Sequence, residues 1–154
     1  MVGRECTCVS GDRGEIVRAH ALVWLMVPLI GVSAMGLPDQ ALSPLTSEVG
    51  DIGRGRVVLL DQSRGNCTLC HAVPEASVRF SGDIGPPLHG VGARFSAAQL
   101  RYRVIDSSRL NPNTPMPAYH RVENLTRVAP QFQGKPILAA QEVEDLVAYL
   151  SSLK

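Results

Sequence analysis

The sequence predicts an all-α domain with long loops, and three observations lead to that prediction. Two segments, 96–110 and 138–152, place apolar residues at helical spacing, and no segment shows the sustained alternation of a half-buried strand. The 11 prolines and 14 glycines are dense between these segments, which favours ordered loops there. A chain of 154 residues has the length of one domain.

The first predicted helix covers residues 50–62. Gly53 and Gly55 are poor helix formers, so we interpret them as positions where another backbone approaches closely. The other residues near helical spacing are Ile52, Arg56, Leu59 and Leu60.

A second helix is predicted from Ser96 to just before Asn111. Ser96 and Gln99 form a capping-box pattern at its start. The three prolines of the following segment, 111–117, fix φ and remove backbone donors, which indicates an ordered extended loop. The apolar side of this helix is predicted to consist of Ala97, Leu100, Val104 and Ile105.

The last predicted helix, 138–152, has the clearest pattern in the chain. Glu142, Glu144 and Asp145 lie in its early turns, where the helix dipole favours negative charge. Its apolar stripe is predicted to consist of Ala139, Val143, Leu146, Val147 and Leu150.

Charge and composition exclude several classes of protein. With 15 basic and 14 acidic side chains the net charge is +1, so we expect no nucleic-acid partner. An apolar share of 45% is that of a folded protein, and 4 cysteines are too few for a disulfide scaffold.

The N-terminal region has the pattern of an export signal. Arg18 precedes an uncharged apolar run, 21–37, and small residues follow it, which predicts a signal peptide over 1–34 cleaved after Ala34. The alternative is an uncleaved membrane anchor, which the length of the run also allows. Residues 1–16 fit neither pattern, and we interpret them as preceding the true translation start. Residues 35–49 are predicted to be a loose leader.

The strongest motif is the Cys67-Thr68-Leu69-Cys70-His71 segment, a C-x-x-C-H pattern. Two thiols three residues apart can each add to one vinyl group of a haem, and the next residue brings an imidazole to the iron. The motif is typical of c-type haem attachment, so we expect one covalent haem c bound through Cys67, Cys70 and His71.

Three other interpretations of the cysteine pair remain open. A zinc site needs four ligands, and the exported chain would have only two cysteines to offer. A thioredoxin-like redox pair needs a βαβ context, which the sequence does not show. A disulfide across two residues would be strained.

The second axial ligand of the iron is predicted to be Met116. Export would leave it as the only methionine away from the new N-terminus, and Pro115 and Pro117 would hold its thioether in place. Met/His ligation is the usual arrangement in electron-transfer cytochromes c. His89 and His120 are the alternative ligands.

Neighbouring groups should orient the ligands. A ligating imidazole usually donates its free N–H to a carbonyl, and the turn at 85–87 is a candidate acceptor for His71. Arg94 is the favoured partner of a haem propionate. The full set of propionate candidates is Arg94, Arg101, Arg103, Arg109 and Tyr102.

The order of these features resembles class I cytochromes c. The C-x-x-C-H motif is followed by GPPLHGVGAR at 85–94, by the methionine loop and by EVEDLVAYLSSL at 142–153. The resemblance implies a cytochrome c domain over 50–154 whose first helix crosses the last near Leu146 and Tyr149. It also implies that Pro86 supplies the carbonyl to His71 and that Arg94 faces a propionate.

A closer resemblance covers most of the exported chain. The segments at 64–71, 82–94, 111–121 and 128–150 are similar to the SoxX family, the monohaem cytochrome subunits of sulfur-oxidising SoxAX complexes. This implies a SoxA-type cytochrome c partner that carries the catalytic haem. It implies that thiosulfate is coupled to a carrier cysteine on SoxYZ, an L-cysteine S-thiosulfotransferase reaction.

In that scheme the present chain accepts electrons from the SoxA haem and passes them to a downstream cytochrome c. It is expected to lie in the periplasm and to touch the membrane only if the N-terminal segment stays uncleaved. As an electron-transfer subunit it would have no catalytic residue of its own. Two other functions remain open: a free-standing diffusible periplasmic electron carrier and a ligand-binding or peroxidase-like haem protein.

Overall fold

The computed structural model describes residues 43–154, and no strand occurs in that range. The all-α prediction is therefore confirmed for the described part of the chain. The predicted signal peptide, 1–34, and the first part of the predicted leader lie outside the described residues. The helices are α1 (Ile52–Leu60), α2 (Val91–Arg94), α3 (Ala97–Asp106) and α4 (Ala140–Ser152), and single 3₁₀ turns occupy Cys67–Leu69, Ser107–Arg109 and Pro130–Phe132.

The most extensive helix contact is the crossing of α1 and α4. A Cβ atom at Gly55 would collide with the main-chain carbonyl of Asp145, so the two backbones touch at this point. The interpretation of Gly55 as a close-approach position is confirmed. Gly53 has no such neighbour, since an added Cβ would meet only the Asp51 carboxylate, which caps the helix by accepting the Arg54 N–H at 2.7 Å.

The apolar face predicted for α1 is partly wrong. Gly55, Val58 and Leu59 are buried, whereas Ile52 is exposed. The reason is that α4 crosses α1 at Gly55, and Val58 and Leu59, one turn further along the helix, lie on the same inward face. Arg56, counted with the apolar face, instead points outward and forms an ion pair with Glu75.

Helix α3 begins as predicted and packs on α4 through a buried ion pair. Ser96 and Gln99 form the full capping box. Arg101 donates through Nε and Nη2 to the two carboxylate oxygens of Glu144, both at 2.7 Å, and both side chains are buried. Removing one partner of such a pair leaves an uncompensated buried charge, which costs about 3–5 kcal/mol.

The acidic residues of α4 therefore differ from their predicted role. Glu144 and Asp145 are buried and bind arginines, so they hold other elements and do not merely offset the helix dipole. Glu142 behaves closer to the expectation, because its carboxylate accepts the Ala139 N–H at 2.8 Å at the start of the helix. Helix α4 begins two residues later than predicted.

The described end of the predicted leader, residues 43–49, is held against α4. The Leu45 N–H donates to Glu144 Oε1 at 2.9 Å, and Thr46 Oγ1 donates to Gln141 Oε1 at 2.6 Å. These two bonds hold this end of the leader against α4. Glu144 can accept the Leu45 N–H because its carboxylate keeps a free lone pair after it binds Arg101 of α3.

Helix α2 was not predicted, since four residues are too few to show a periodicity. It packs on the end of α4, where the Gly92 N–H donates to the Leu153 carbonyl at 2.8 Å and Lys154 Nζ donates to the Gly92 carbonyl at 2.7 Å. No helix within residues 43–154 has the length and apolarity to cross a membrane. The buried aliphatic core is formed by Val58, Leu59, Val73, Val91, Leu100, Val104, Ile105, Leu138, Val143, Leu146, Val147 and Leu150.

Candidate functional site

A cavity of about 630 Å³ lies between the helices and the loops. That volume is typical of a site for a small molecule or cofactor. Aliphatic side chains from α1, α3 and α4 form its inner wall, and loop residues complete it. All six residues predicted for the site line it: Cys67, Cys70, His71, Pro86, Arg94 and Met116.

The two cysteines stand on one tight turn. Asn66 has a left-handed backbone with φ of 43°, and the chain then forms the 3₁₀ turn Cys67–Leu69, closed by the Cys70 N–H donating to the Cys67 carbonyl at 3.2 Å. The His71 N–H donates to the same carbonyl at 2.9 Å. Both thiols are free, so the pair forms no disulfide. Burial raises the pKa of the Cys67 thiol to about 11, which keeps it protonated near neutral pH.

Nothing in the described structure supports the zinc alternative for these cysteines. Within residues 43–154, no group of three or more His, Cys, Asp and Glu side chains could hold a metal ion. The βαβ context that a thioredoxin-like pair needs is likewise absent from that range.

The segment after the motif orients the imidazole. His71 Nδ1 lies 2.7 Å from the Pro86 carbonyl, the contact that the resemblance implies. A carbonyl can only accept, so Nδ1 carries the proton and Nε2 keeps the lone pair that binds a metal. A Cβ atom at Gly85 would collide with the imidazole ring, so glycine is required for the ring to lie there.

This segment runs beside the motif because three backbone hydrogen bonds join them. The amides of Gly82, Gly85 and Leu88 donate to the carbonyls of Thr68, Cys70 and Ala72, at 2.9, 2.8 and 2.8 Å. The bonds fix the position of Pro86 relative to His71.

The methionine loop brings a thioether to the same cavity. Met116 is half-buried, its N–H donates to Thr114 Oγ1 at 3.2 Å, and Pro115 and Pro117 line the wall beside it. The two alternative ligands do not line the cavity. His89 is exposed, and His120 Nδ1 lies 2.9 Å from the Leu138 carbonyl.

Two of the five propionate candidates reach the cavity. Arg94 lines it while donating to the carbonyls of His89 and Pro87, both at 2.7 Å, which uses only part of its five N–H donors. Arg103 also lines it, with its guanidinium 4.0 Å from the centre of the Phe95 ring. The others lie elsewhere: Arg101 with Glu144, Arg109 with Asp106, and Tyr102 buried on α3.

Tyr119 is a cavity residue that the sequence did not reveal. Its ring is buried in the core, and its hydroxyl donates to the Gly65 carbonyl at 2.8 Å. Burial raises the pKa of this phenol well above its usual range. Tyr119 therefore ties the methionine loop to the chain just before Cys67. Its only sequence signal was its position three residues after Met116.

The donor set fits a haem. An apolar cavity with two free thiols, a metal-ready imidazole nitrogen and a thioether offers the groups that attach a porphyrin covalently and ligate its iron. The family profile for cytochrome c matches residues 54–154, about two thirds of the chain.

The chain belongs to the cytochrome c family.

One solved structure agrees with this assignment. The cytochrome is 38% identical to a chain in the crystal structure of SoxXA from P. pantotrophus, with a TM-score of 0.67 over 73% of this chain and 88% of that chain. The c-type cytochrome SorU from Sinorhizobium meliloti matches at 25% identity and a TM-score of 0.43, over 66% of this chain and 88% of that one. A search of curated protein sequences gave no significant match.

The family profile and the match to SoxXA confirm the class I cytochrome c fold and the resemblance to SoxX. The family's cofactor is covalent haem c, and its chemistry is the one-electron reduction and oxidation of the haem iron.

Proposed function

We propose that this cytochrome is the SoxX-type electron-transfer subunit of a periplasmic SoxAX complex. The observation that carries the proposal is the 38% identity to a chain of SoxXA across 88% of that chain. On this proposal it carries one haem, accepts electrons from a SoxA-type subunit while thiosulfate is coupled to a SoxYZ cysteine, and delivers them to another cytochrome c.

The residues around the cavity have separate roles in this proposal. Cys67 and Cys70 form the thioether bonds, and His71 and Met116 ligate the iron. The Pro86 carbonyl oxygen lies 2.7 Å from His71 Nδ1. This contact supports a proton on Nδ1, which leaves Nε2 free to bind the iron.

The cavity wall supports electron transfer in preference to catalysis on this subunit. Two protein ligands would leave the iron no open position for a substrate. The aliphatic wall from α1, α3 and α4 excludes water from the inner face, which favours a raised potential. Arg94, which has N–H donors to spare beside the cavity, is proposed to hold a propionate.

The proposal includes export. Residues 1–34 would act as a cleaved signal peptide, and residues 50–154 would form the haem domain. Covalent haem attachment takes place outside the cytoplasm in bacteria, which agrees with an apolar N-terminal run ahead of the C-x-x-C-H motif.

Affinity purification from the native host grown on thiosulfate tests the proposal. The tagged cytochrome and a tagged Met116→Ala variant are isolated, and bound proteins are identified and quantified by mass spectrometry. We expect a second c-type cytochrome at one-to-one stoichiometry with both, because Met116→Ala removes a single half-buried side chain. A lone monohaem protein would contradict the SoxAX assignment and indicate a diffusible carrier.

A further inference from the structure

The loop that carries Met116 leaves the end of α3 and returns to it. The last carbonyls of a helix have no partner within the helix. Here the returning chain supplies partners: the Tyr119 N–H donates to the Val104 carbonyl at 3.3 Å, and the amides of His120 and Arg121 donate to the Ile105 carbonyl at 3.2 and 3.4 Å. We call residues 107–120 the Met116 loop.

Asp106 joins the two ends of this loop. Its side chain is only 2% exposed, and its carboxylate accepts from Ser108 Oγ at 2.6 Å and from the Ser108 N–H at 3.1 Å on the outgoing side. On the returning side it accepts from Arg121 Nε at 2.6 Å. Arg109 Nε lies 3.3 Å from the same carboxylate.

Between these ends, the described hydrogen bonds of residues 110–118 are local. The amides of Leu110 and Asn111 donate to the Ser107 carbonyl, and the Thr114 N–H donates to the Asn111 carbonyl. The placement of Met116 therefore depends on where the two ends are fixed and on how the thioether packs against the core.

We propose that Asp106 is a positioning residue for Met116, acting by closing the Met116 loop with Arg121. Binding of the thioether to iron is an intramolecular event whose strength depends on its effective concentration at the metal. A closed loop restricts the positions that Met116 can reach, and an open loop dilutes it. This proposal rests on the proposed ligation of iron by Met116.

Competition with added imidazole tests the proposal on the haem-loaded full-length protein. Imidazole binds ferric haem only when it displaces Met116, so its dissociation constant reports how firmly the loop holds the thioether. The test compares wild type with Asp106→Asn, and the matched control is Asp145→Asn. Asp145 is also a buried carboxylate paired with an arginine, but it lies at the α1–α4 crossing.

We expect Asp106→Asn to bind imidazole about tenfold more tightly than wild type, because a charged hydrogen-bond pair is lost. Its far-red sulfur-to-iron charge-transfer band should weaken, while mass spectrometry finds the haem still attached. Asp145→Asn should bind imidazole like wild type even though its unfolding midpoint falls. Arg121→Gln should repeat the Asp106→Asn result, and Arg121→Lys should restore part of the wild-type affinity.

Equal imidazole affinities in Asp106→Asn and Asp145→Asn would overturn the proposal. If Asp106→Asn does not accumulate, an imidazole affinity equal to wild type in Arg121→Gln would overturn the proposal. Loss of haem attachment in Arg121→Gln, with attachment kept in the other variants, would also overturn it. The absence of the charge-transfer band from the wild-type protein would contradict Met116 ligation itself, which separates that failure from a failure of the loop closure.

Discussion

Asp145 keeps its negative charge in the core because donors surround it. Arg54 contributes Nε at 2.7 Å and Nη2 at 2.9 Å, Gln141 contributes Nε2 at 3.0 Å, and the Asp51 N–H donates at 2.8 Å. Burial alone would raise the pKa of this carboxyl. The hydrogen bonds from Arg54 outweigh that effect and lower the pKa of Asp145 to about 2.

This shift predicts acid sensitivity. The carboxyl binds a proton more readily in the unfolded chain, so the stabilisation is complete above about pH 4 and is lost as the pH falls toward about 2. Because Arg54 is half-exposed, we expect a loss of about 1 kcal/mol in the free energy of unfolding. Denaturant titrations between these pH values give the slope of the free energy of unfolding against pH. This slope should be smaller in Asp145→Asn than in wild type. The exposed-site control Asp83→Asn should keep the wild-type slope, and equal slopes in all three proteins would contradict the prediction.

Met116→Ala should keep the covalent haem, because the bonds from Cys67 and Cys70 to the haem are unchanged. It should lose the low-spin, high-potential state, because the methionine sulfur that ligates the iron is removed. The reduced variant should bind carbon monoxide rapidly, and wild type should not. Absorbance spectra and a redox titration measure both effects. His120→Ala is the control, since His120 does not line the cavity. An unchanged spectrum in Met116→Ala would show that another residue ligates the iron.

Single residues differed in how far the sequence could predict them. Cys67, Cys70 and His71 could be identified because haem attachment needs those residue types at that spacing, and the structure brings them to one cavity. Asp106 and Tyr119 could not, because their roles depend on contacts made in the fold. Tyr119 reaches a carbonyl 54 residues earlier in the chain, and no local pattern encodes that distance.

Helices were predictable where their ends and faces are local properties. The capping box of α3 is present, and so is the apolar stripe of α4 at Val143, Leu146, Val147 and Leu150, because both depend on residues three or four positions apart. Ala139, also predicted for the stripe, is wrong: it is exposed and lies just before the helix. The inward face of α1 depends on where α4 crosses it, and α2 is a single turn that is stabilised by the chain's C-terminal residues. Neither property is encoded within the element itself.

The crossing of α1 and α4 predicts opposite effects at two glycines of one helix. Gly55→Ala should destabilise the protein by about 2–3 kcal/mol, because the new methyl group would strike the Asp145 carbonyl and force the helices apart. Gly53→Ala should be neutral or stabilise by up to about 1 kcal/mol, because alanine favours the helix and no backbone lies close. Denaturant unfolding of both haem-loaded variants measures the difference. Equal effects of the two substitutions would show that the close contact with α4 at Gly55 does not control the stability of this helix.

At the scale of the whole molecule, an apolar patch lies beside the attachment motif. Phe80 is 91% exposed, and Leu69 and Ile84 are also largely exposed, on the two backbone segments that are hydrogen-bonded to each other next to the cysteines. Clustered exposed apolar side chains often mark protein contacts. This patch adjoins the segment whose Pro86 carbonyl holds His71, so it lies beside the haem site.

If the proposed SoxA-type subunit covers this patch, changing it should weaken the complex. The double variant Phe80→Ser and Leu69→Ser should lose about tenfold or more in affinity, because two large side chains that do not line the haem cavity would no longer be buried. Val49→Ser is the control, since Val49 is exposed and does not line the haem cavity. Titration calorimetry with the co-purified partner measures the change. Equal affinity of the patch variant and the control would place the contact elsewhere on the surface.

The pairing of α1 with α4 also sets a schedule for the newly made chain. The first helix of the haem domain cannot find its partner until residues 140–152 have been synthesised, whereas the two attachment cysteines emerge about 80 residues earlier. On the proposed export route the cysteines also reach the compartment of haem attachment before α4 does, so an interval separates the two arrivals. During it the thiols are free of the burial that raises the pKa of Cys67 to about 11 in the folded chain. The contact that completes the core thus comes late enough to leave the cysteines reactive while a haem is delivered.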